Sequence, residues 1–137
     1  MARILGIDHG ERRVGLAVSD PAGIIAQPLT TLLRGPSDDW WGALGEIITE
    51  QEVEAIVVGY PRTMGGEIGS QADKVDRFIG QLEQRWALPV HRFDERLTSV
   101  AARRSLTLQG VKSGHDKAAV DRTAAALILQ DFLDSRR

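Results

Sequence analysis

Short apolar runs bounded by polar residues, glycine and proline divide the chain into strand-like and helix-like segments. Residues 4–7 form an apolar run long enough for a buried strand, and Asp8 ends it. Apolar residues then alternate with small ones over residues 13–20, which is typical of a strand. A turn with proline and glycine at residues 21–23 precedes a third β-type stretch, residues 24–32. The first third of the chain is therefore predicted to be an antiparallel three-strand meander.

Helical and strand patterns alternate in the rest of the chain. Ser37 supplies an N-cap oxygen, and the apolar residues after it recur at helical spacing, which predicts a first helix ending near Glu52. Residues 55–60 are almost wholly apolar and predict a parallel strand covered on both faces. Ser70 caps a second predicted helix. The remaining predicted elements are a strand at residues 89–94 and helices at about residues 98–110 and 116–133.

This order of elements predicts an α/β fold with a five-stranded mixed sheet and helices on both faces. The meander supplies three antiparallel strands, and two parallel strands extend the sheet. With 137 residues, 42% of them hydrophobic, we expect a single domain over residues 1–137. No apolar stretch approaches the roughly 20 residues of a membrane span, so no membrane partner is expected. Cysteine is absent, which favours a cytoplasmic location.

Charge is unevenly distributed, although 17 Lys and Arg residues nearly balance 19 Asp and Glu residues. Residues 37–54 contain six acids and no base, whereas residues 92–122 contain seven bases and four acids. The second segment favours an electropositive surface with a few embedded carboxylates, as nucleic-acid binding requires. The alternative is a set of solvated helix faces without a ligand.

Carboxylates follow two predicted strands at the sheet edge where open α/β sheets bind their ligands. Asp8 ends the first strand, and the pair Asp94 and Glu95 ends the last one. Mg²⁺ and Mn²⁺ prefer such hard oxygen ligands. The sequence therefore predicts a divalent metal site at this edge, and the spacing alone leaves open which acid of the pair contributes.

Asp121 is the candidate third ligand. It shares a helical stripe with Ala124, Ala125 and Ile128, which puts the acid on the apolar face of the terminal helix. A carboxylate on a buried face is costly unless it has a partner. That partner is either a metal ion shared with Asp8 or, as the alternative, a neighbouring base. The bases within reach of that helix turn are Lys117 and Arg122.

Basic residues near these acids are candidates for holding a phosphodiester. Gly10 permits a turn after Asp8, and Arg12 and Arg13 follow it. The full predicted substrate-binding set is Arg12, Arg13, Arg96, Arg103, Arg104, Lys112 and Lys117. His9 has no second histidine at metal-ligand spacing and is interpreted as a packing or surface residue. Trp40 and Trp41 could stack on bases, but their acidic helix favours core packing.

Four stretches, in this order, closely resemble the YqgF (RuvX) family. They are GIDHGERRVGLAVSD (residues 6–20), VVGYP (57–61) with MGG (64–66), DERLTS (94–99), and KAAVD (117–121) with AAALILQ (124–130). The resemblance runs nearly end to end and implies an RNase H-like fold. It also implies a nuclease related to Holliday junction resolvases, with a role in maturing the 5′ end of pre-16S ribosomal RNA.

By position, the resemblance implies Asp8, Glu95 and Asp121 as catalytic residues and metal ligands, with Mg²⁺ or Mn²⁺ as cofactor. The chain departs from the broader resolvase group because no acid follows the strand ending at Tyr60. The second ligand must then come from the acid pair, with Asp94 as the alternative to Glu95. The implied partner is structured RNA or branched DNA, without a nucleotide cofactor, and the sequence leaves the oligomeric state open, a homodimer included.

Two other functions compete with a metal-dependent nuclease. The spacing of Asp8, Gly10 and Gly15 also fits the first phosphate loop of an actin-like kinase, but such kinases resemble two fused copies of this fold and 137 residues hold only one. The other alternative is a non-catalytic nucleic-acid-binding module, because relatives inside larger transcription factors resemble this fold with the acids lost. All three acids are present here, which favours the nuclease.

Overall fold

The computed structural model describes residues 3–35, 39–61, 70–95 and 117–136 of the chain. Five strands and three helices lie within these ranges, and the predicted helix at residues 98–110 lies outside them. In chain order they are β1 (Arg3–His9), β2 (Arg13–Ser19), β3 (Ala26–Leu33), α1 (Asp39–Glu50), β4 (Val53–Tyr60), α2 (Ser70–Arg85), β5 (Val90–Asp94) and α3 (Lys117–Ser135). Among the described helices, none combines the length and apolarity that crossing a membrane requires.

All five strands form one mixed sheet in the order β3-β2-β1-β4-β5. The pairs β1–β2 and β2–β3 are antiparallel, which confirms the predicted meander. The pairs β1–β4 and β4–β5 are parallel, so the carboxyl ends of β1, β4 and β5 meet at one sheet edge. β4 begins two residues earlier than predicted, because Val53 is buried and the turn before it is closed by Glu52 in the left-handed region (φ 52°).

Helices α1 and α2 cover one face of the sheet. Alternate residues of β1 and β4, among them Ile7 and Val58, point to this side and pack with Leu44 of α1 and Phe78 of α2. Both helices present apolar stripes to the sheet, as their periodicity predicts. This is the larger of the two cores.

Helix α3 covers the other face. Ala125, Ile128 and Leu129 are fully buried, and the small alanine lets the helix come close to the sheet. The approach is closest at Gly15 of β2, where an added Cβ would overlap the backbone carbonyl of Asp121. The acid-bearing turn of α3 therefore lies directly on the sheet, as its apolar stripe predicts.

Candidate active site

Asp8 lies near the carboxyl end of the central strand β1 and is only 8% exposed. Its antiparallel partner is Gly15, whose missing side chain would point at α3. Directly opposed residues of an antiparallel pair share a face of the sheet, so Asp8 also faces α3. A carboxylate buried between two helix-covered strands is held on a rigid element, which is the usual support for a binding or catalytic group.

Glu95 follows β5 and lies on the same face as Asp8. A Cβ placed on Gly59 of β4 would be 2.9 Å from Glu95 Oε1 and 2.5 Å from Ile128 Cδ1 of α3. The Glu95 carboxylate therefore sits over a position where β4 has no side chain. Parallel pairing of Ile7 with Val58 makes Gly59 the lateral neighbour of Asp8, and adjacent strands are about 4.8 Å apart. Asp8 and Glu95 thus flank Gly59 of β4, over which the Glu95 carboxylate and Ile128 lie.

Asp94 lies on the opposite face. It pairs with Tyr60, whose ring belongs to the core under α1 and α2. Side chains alternate along a strand, so Phe93, which packs against α3, and Glu95 share the other side. Of the two adjacent acids, Glu95 is the one that faces α3 together with Asp8.

Asp121 lies in the second turn of α3 and is partnered by a base from the sheet. Arg13 Nε donates to Asp121 Oδ2 at 2.5 Å, and the two side chains are 32% and 21% exposed. The base that pairs with Asp121 is thus Arg13, whereas the sequence had suggested Lys117 or Arg122. The ion pair joins β2 to α3 across 108 positions of sequence, and the sequence analysis had assigned Arg13 to substrate binding instead.

The three acids suit a divalent metal in their chemistry, but they do not yet converge. Asp8 and Glu95 present hard oxygen donors on one face, as Mg²⁺ prefers. Within the described residues, however, no three His, Asp or Glu side chains are grouped closely enough to hold a metal ion. The Asp121 carboxylate is instead engaged by Arg13. The donor types fit a divalent metal, although the described positions of these side chains do not group them around one.

Few of the predicted substrate-binding residues can be located. Arg12 is exposed in the β1–β2 turn, near the candidate site. Lys117 opens α3, and its side chain is outside the described part of the structure. Four further residues, Arg96, Arg103, Arg104 and Lys112, lie outside the described residues altogether.

His9 and Arg34 form a second polar feature, on the α2 side of the same edge. Arg34 Nη1 lies 2.8 Å from His9 Nε2, and the His9 ring packs on Phe78 with centroids 4.5 Å apart. Burial, together with the positive charge of Arg34, lowers the pKa of His9 to about 4. The imidazole is therefore neutral near pH 7, and its Nε2 accepts from the guanidinium. A neutral ring of this kind is a positioning group for Arg34.

Arg34 and two α2 bases, Lys74 and Arg77, are polar residues that the sequence analysis did not select. A signal for Arg34 existed, because antiparallel pairing returns the end of β3 to the edge where β1 ends. The bases of α2 had no comparable signal, since only tertiary packing decides where that helix lies. Trp40 and Trp41 are buried at 6% and 7% exposure, which confirms the interpretation of core packing.

Comparison with known proteins agrees with this architecture. A family model described as "RuvX: Holliday junction resolvase" matches residues 2–135. A protein of Chloroflexus aggregans named "Putative pre-16S rRNA nuclease" is 47% identical over 134 residues, covering 98% of this chain and 94% of its own. A protein of the same name from Koribacter versatilis is 48% identical over 134 residues, with 98% and 88% coverage.

Solved structures show the same fold at low identity. Thermus thermophilus RuvC in complex with a Holliday junction substrate has a TM-score of 0.59 at 18% identity, with 99% of this chain and 96% of that chain covered. The Fowlpox virus resolvase bound to Holliday junction DNA has a TM-score of 0.56 at 12% identity, with 98% of each chain covered. These likenesses establish the RNase H-like fold. Because the family model and the relatives span nearly the whole chain, the protein belongs to the RuvX family of Holliday junction resolvase-like proteins.

Proposed function

We propose that the protein is a metal-dependent endonuclease that hydrolyses phosphodiester bonds in structured nucleic acid. The observation that carries the proposal is that Asp8 and Glu95 face the same side of the sheet edge, on either side of Gly59 of β4. Carboxylates that face the same side of a sheet edge supply the hard oxygen ligands that Mg²⁺ and Mn²⁺ prefer. The edge of the sheet therefore offers a place where cation binding is favourable.

The substrate is proposed from the names of similar proteins. The relatives with 47–48% identity carry the name "Putative pre-16S rRNA nuclease", and the structures of similar fold hold Holliday junctions. Sequence similarity at this level is the stronger argument, so we propose 5′-end maturation of pre-16S rRNA as the activity. Cleavage of branched DNA is the second substrate class to test.

Asp8, Glu95 and Asp121 are the proposed ligands of Mg²⁺ or Mn²⁺. A metal ion bound there would supply a polarised phosphate and an activated water. Asp8 would contribute from a rigid central strand, and Glu95 from the end of β5. Asp121 would join them by exchanging its ion pair with Arg13 for the cation, which leaves the guanidinium of Arg13 available to the substrate phosphate. No nucleotide cofactor takes part in this proposal.

The test is cleavage of a pre-16S 5′-end RNA and of a four-way DNA junction by the purified protein, without ATP. We expect cleavage with Mg²⁺ or Mn²⁺ that EDTA abolishes and added metal restores. Asp8→Asn, Glu95→Gln and Asp121→Asn should each lower the rate at least about a hundredfold, which corresponds to roughly 2.7 kcal/mol of transition-state stabilisation. Hydrolysis that persists in EDTA would contradict the metal requirement.

Asp94→Asn is the matched comparison for Glu95→Gln. It removes the same charge one residue away, on the opposite face of the sheet. We expect Asp94→Asn to keep at least about half of the cleavage rate, because electrostatic effects across the sheet are weak compared with the loss of a ligand. If both variants lose the same fraction of the cleavage rate, the side of the sheet on which each carboxylate lies does not decide which acid binds the metal.

A non-catalytic nucleic-acid-binding module is the second candidate. The Arg13–Asp121 ion pair favours it, since an acid with a permanent base partner has no need of a metal. Under this alternative, Mn²⁺ would leave the melting temperature unchanged, because only a ligand that binds the folded state raises it. The nuclease proposal expects a rise that Asp121→Asn reduces.

A further inference from the structure

We propose that a cleft on the α2 side of the same sheet edge binds a backbone phosphate of the nucleic acid. Along the strand, this phosphate would be the neighbour of the phosphate that lies at the carboxylates of the candidate active site. The inference deepens the proposed function and rests on it for the identity of the ligand. The cleft has a volume of about 470 Å³ and is lined by residues of the β1–β2 turn, the end of β3, α1 and α2. Its principal polar residues are His9, Glu11, Arg34, Lys74 and Arg77.

Position is the first argument for a shared ligand. Asp8 faces α3, and the next residue, His9, faces α2 and lines the cleft. Consecutive Cα atoms are about 3.8 Å apart, so the cleft and the carboxylates lie on either side of one strand end. A polynucleotide crossing this edge therefore meets both features in succession.

Charge is the second argument. The cleft holds three cations, Arg34, Lys74 and Arg77, and one acid, Glu11. Glu11 accepts from Lys74, and this exposed pair leaves the two arginines with an excess of positive charge. Within the described part of the chain, neither Arg34 nor Arg77 forms an ion pair with a carboxylate. The excess positive charge of the cleft therefore favours binding of an anion.

Arg34 is held in place before any ligand arrives. Its guanidinium carbon lies 4.9 Å from the centre of the Trp40 ring, and Nη1 donates to His9 Nε2 and to the Gly10 carbonyl. Among the described residues, nothing accepts a hydrogen bond from its Nε or Nη2. A guanidinium with fixed orientation and spare donors matches the oxygens of a phosphate and loses little entropy on binding.

The cleft suits a phosphate and not a base. Trp40 and Phe78 line it, but they are only 6% and 1% exposed, and Arg34 covers the Trp40 ring. Base stacking needs an open aromatic face. Since the accessible groups are cationic, binding should depend on the backbone charge and hardly on base identity.

The test measures binding in EDTA, where cleavage is not expected, by fluorescence anisotropy of labelled 12-residue oligo(U) and oligo(A) at 50–200 mM salt. We expect Arg77→Gln and Arg34→Gln each to weaken binding about three- to tenfold for both oligomers. Each should also reduce the slope of log affinity against log salt by about 0.7, as the loss of one phosphate contact on a single strand predicts. Arg77 is exposed, so its variant tests the proposal even if Arg34→Gln perturbs the packing of Trp40.

Arg85→Gln is the matched control. It removes the same charge from the same helix, about 12 Å further along α2 and outside the cleft. We expect it to change the affinity less than about twofold. If Arg85→Gln weakens binding as much as Arg77→Gln does, the effect is one of total charge and the cleft has no specific role.

Two further outcomes separate the possibilities. Competition by uridine 5′-monophosphate at micromolar concentration would show that the cleft serves a free nucleotide, which overturns the strand phosphate, whereas weak competition supports it. If binding of the oligomers depends on Arg34 and Arg77 but the protein cleaves none of the substrates, the proposed nuclease is wrong and the phosphate site stands. If the protein cleaves its substrate but both arginine variants bind nucleic acid as well as the wild type does, the phosphate site is wrong and the proposed nuclease stands.

Discussion

Asp121 has two roles that compete at the scale of a single residue. It is the ion-pair partner of Arg13, and it is the proposed third ligand of a metal. The pair is partly buried, so it is screened less than a surface salt bridge, and its short hydrogen bond adds to the attraction. In the metal-free protein, the Arg13 charge balances an acid that faces the sheet.

We predict that Asp121→Asn and Arg13→Gln each lower the melting temperature of the metal-free protein, and that the double variant loses less than the sum. The coupling free energy should be about 1.5–3 kcal/mol, the usual range for a hydrogen bond to a charged group. Chemical denaturation of the four proteins in EDTA measures it. Additive losses would show that the two side chains contribute independently.

Asp20 has a pKa below its usual value, because its carboxylate accepts hydrogen bonds from the backbone N–H groups of Ile25 and Ile24. The folded state thus favours the charged form, and the unfolded state binds a proton first as the pH falls. The contribution of Asp20 to stability is present above the unfolded-state pKa and is lost as the pH falls through the lower folded-state value.

We predict that the melting temperature of Asp20→Asn falls less steeply than that of the wild type below about pH 4, since the amide keeps an acceptor but does not titrate. Thermal melts between pH 2 and pH 7 check this. If the melting temperatures of the two proteins fall equally with pH, Asp20 has no role in the loss of stability at low pH.

At the scale of elements, the contact between α3 and the sheet depends on glycine. Gly15 lies under the Asp121 backbone carbonyl, and Gly59 lies under Ile128 and Glu95. A side chain at Gly15 would meet backbone, which cannot rotate away, so the helix would have to move as a whole. Such overpacking usually costs about 1–3 kcal/mol.

We predict that Gly15→Ala destabilises the protein by at least about 2 kcal/mol and shifts the acid-bearing turn of α3 away from β2. Gly42→Ala is the control, because an added Cβ on this exposed residue of α1 would contact nothing within 4 Å. It should stabilise the protein by about 0.5–1 kcal/mol, since alanine favours a helix over glycine. Denaturation midpoints of the two variants should therefore move in opposite directions.

At the scale of the whole molecule, acidic and basic surfaces are separated. Glu46 and Glu50 of α1 are exposed and lie outside the cleft, whereas Arg12, Arg34 and Arg77 lie near the candidate site and the cleft. Phosphates are attracted to one region and repelled from the other. Nucleic acid should therefore approach the sheet edge and avoid the part of α1 that carries Glu46 and Glu50.

We predict that affinity for nucleic acid falls by about two to three decades between 50 and 200 mM salt, as expected if roughly five phosphates are neutralised. Titrations at several salt concentrations give the slope. The variant Glu46→Gln/Glu50→Gln should leave the affinity within about twofold or raise it slightly. Salt-independent binding would show that phosphate contacts are not its main source.

The amino-acid sequence by itself determined the elements that the structure describes and their order. Apolar alternation in β1 and β2, the continuous apolar run of β4 and the helical stripe containing Ala125 and Ile128 each depend on neighbours within a few residues, so they can be recognised in one dimension. The mixed sheet follows from that order because few topologies connect such elements. Asp8 and the pair Asp94–Glu95 were predicted at strand ends for the same local reason.

Only the tertiary structure decided which polar groups meet. The partner of Asp121 is Arg13, 108 positions away, and not a base on its own helix. The facing of Glu95 toward α3 depends on the register of β5 against β4, and the cleft around Arg34 depends on where α2 packs. Periodicity reports which face of an element is buried, but it carries no information on the opposing element, because contacts between distant segments are selected by the packing of the whole core.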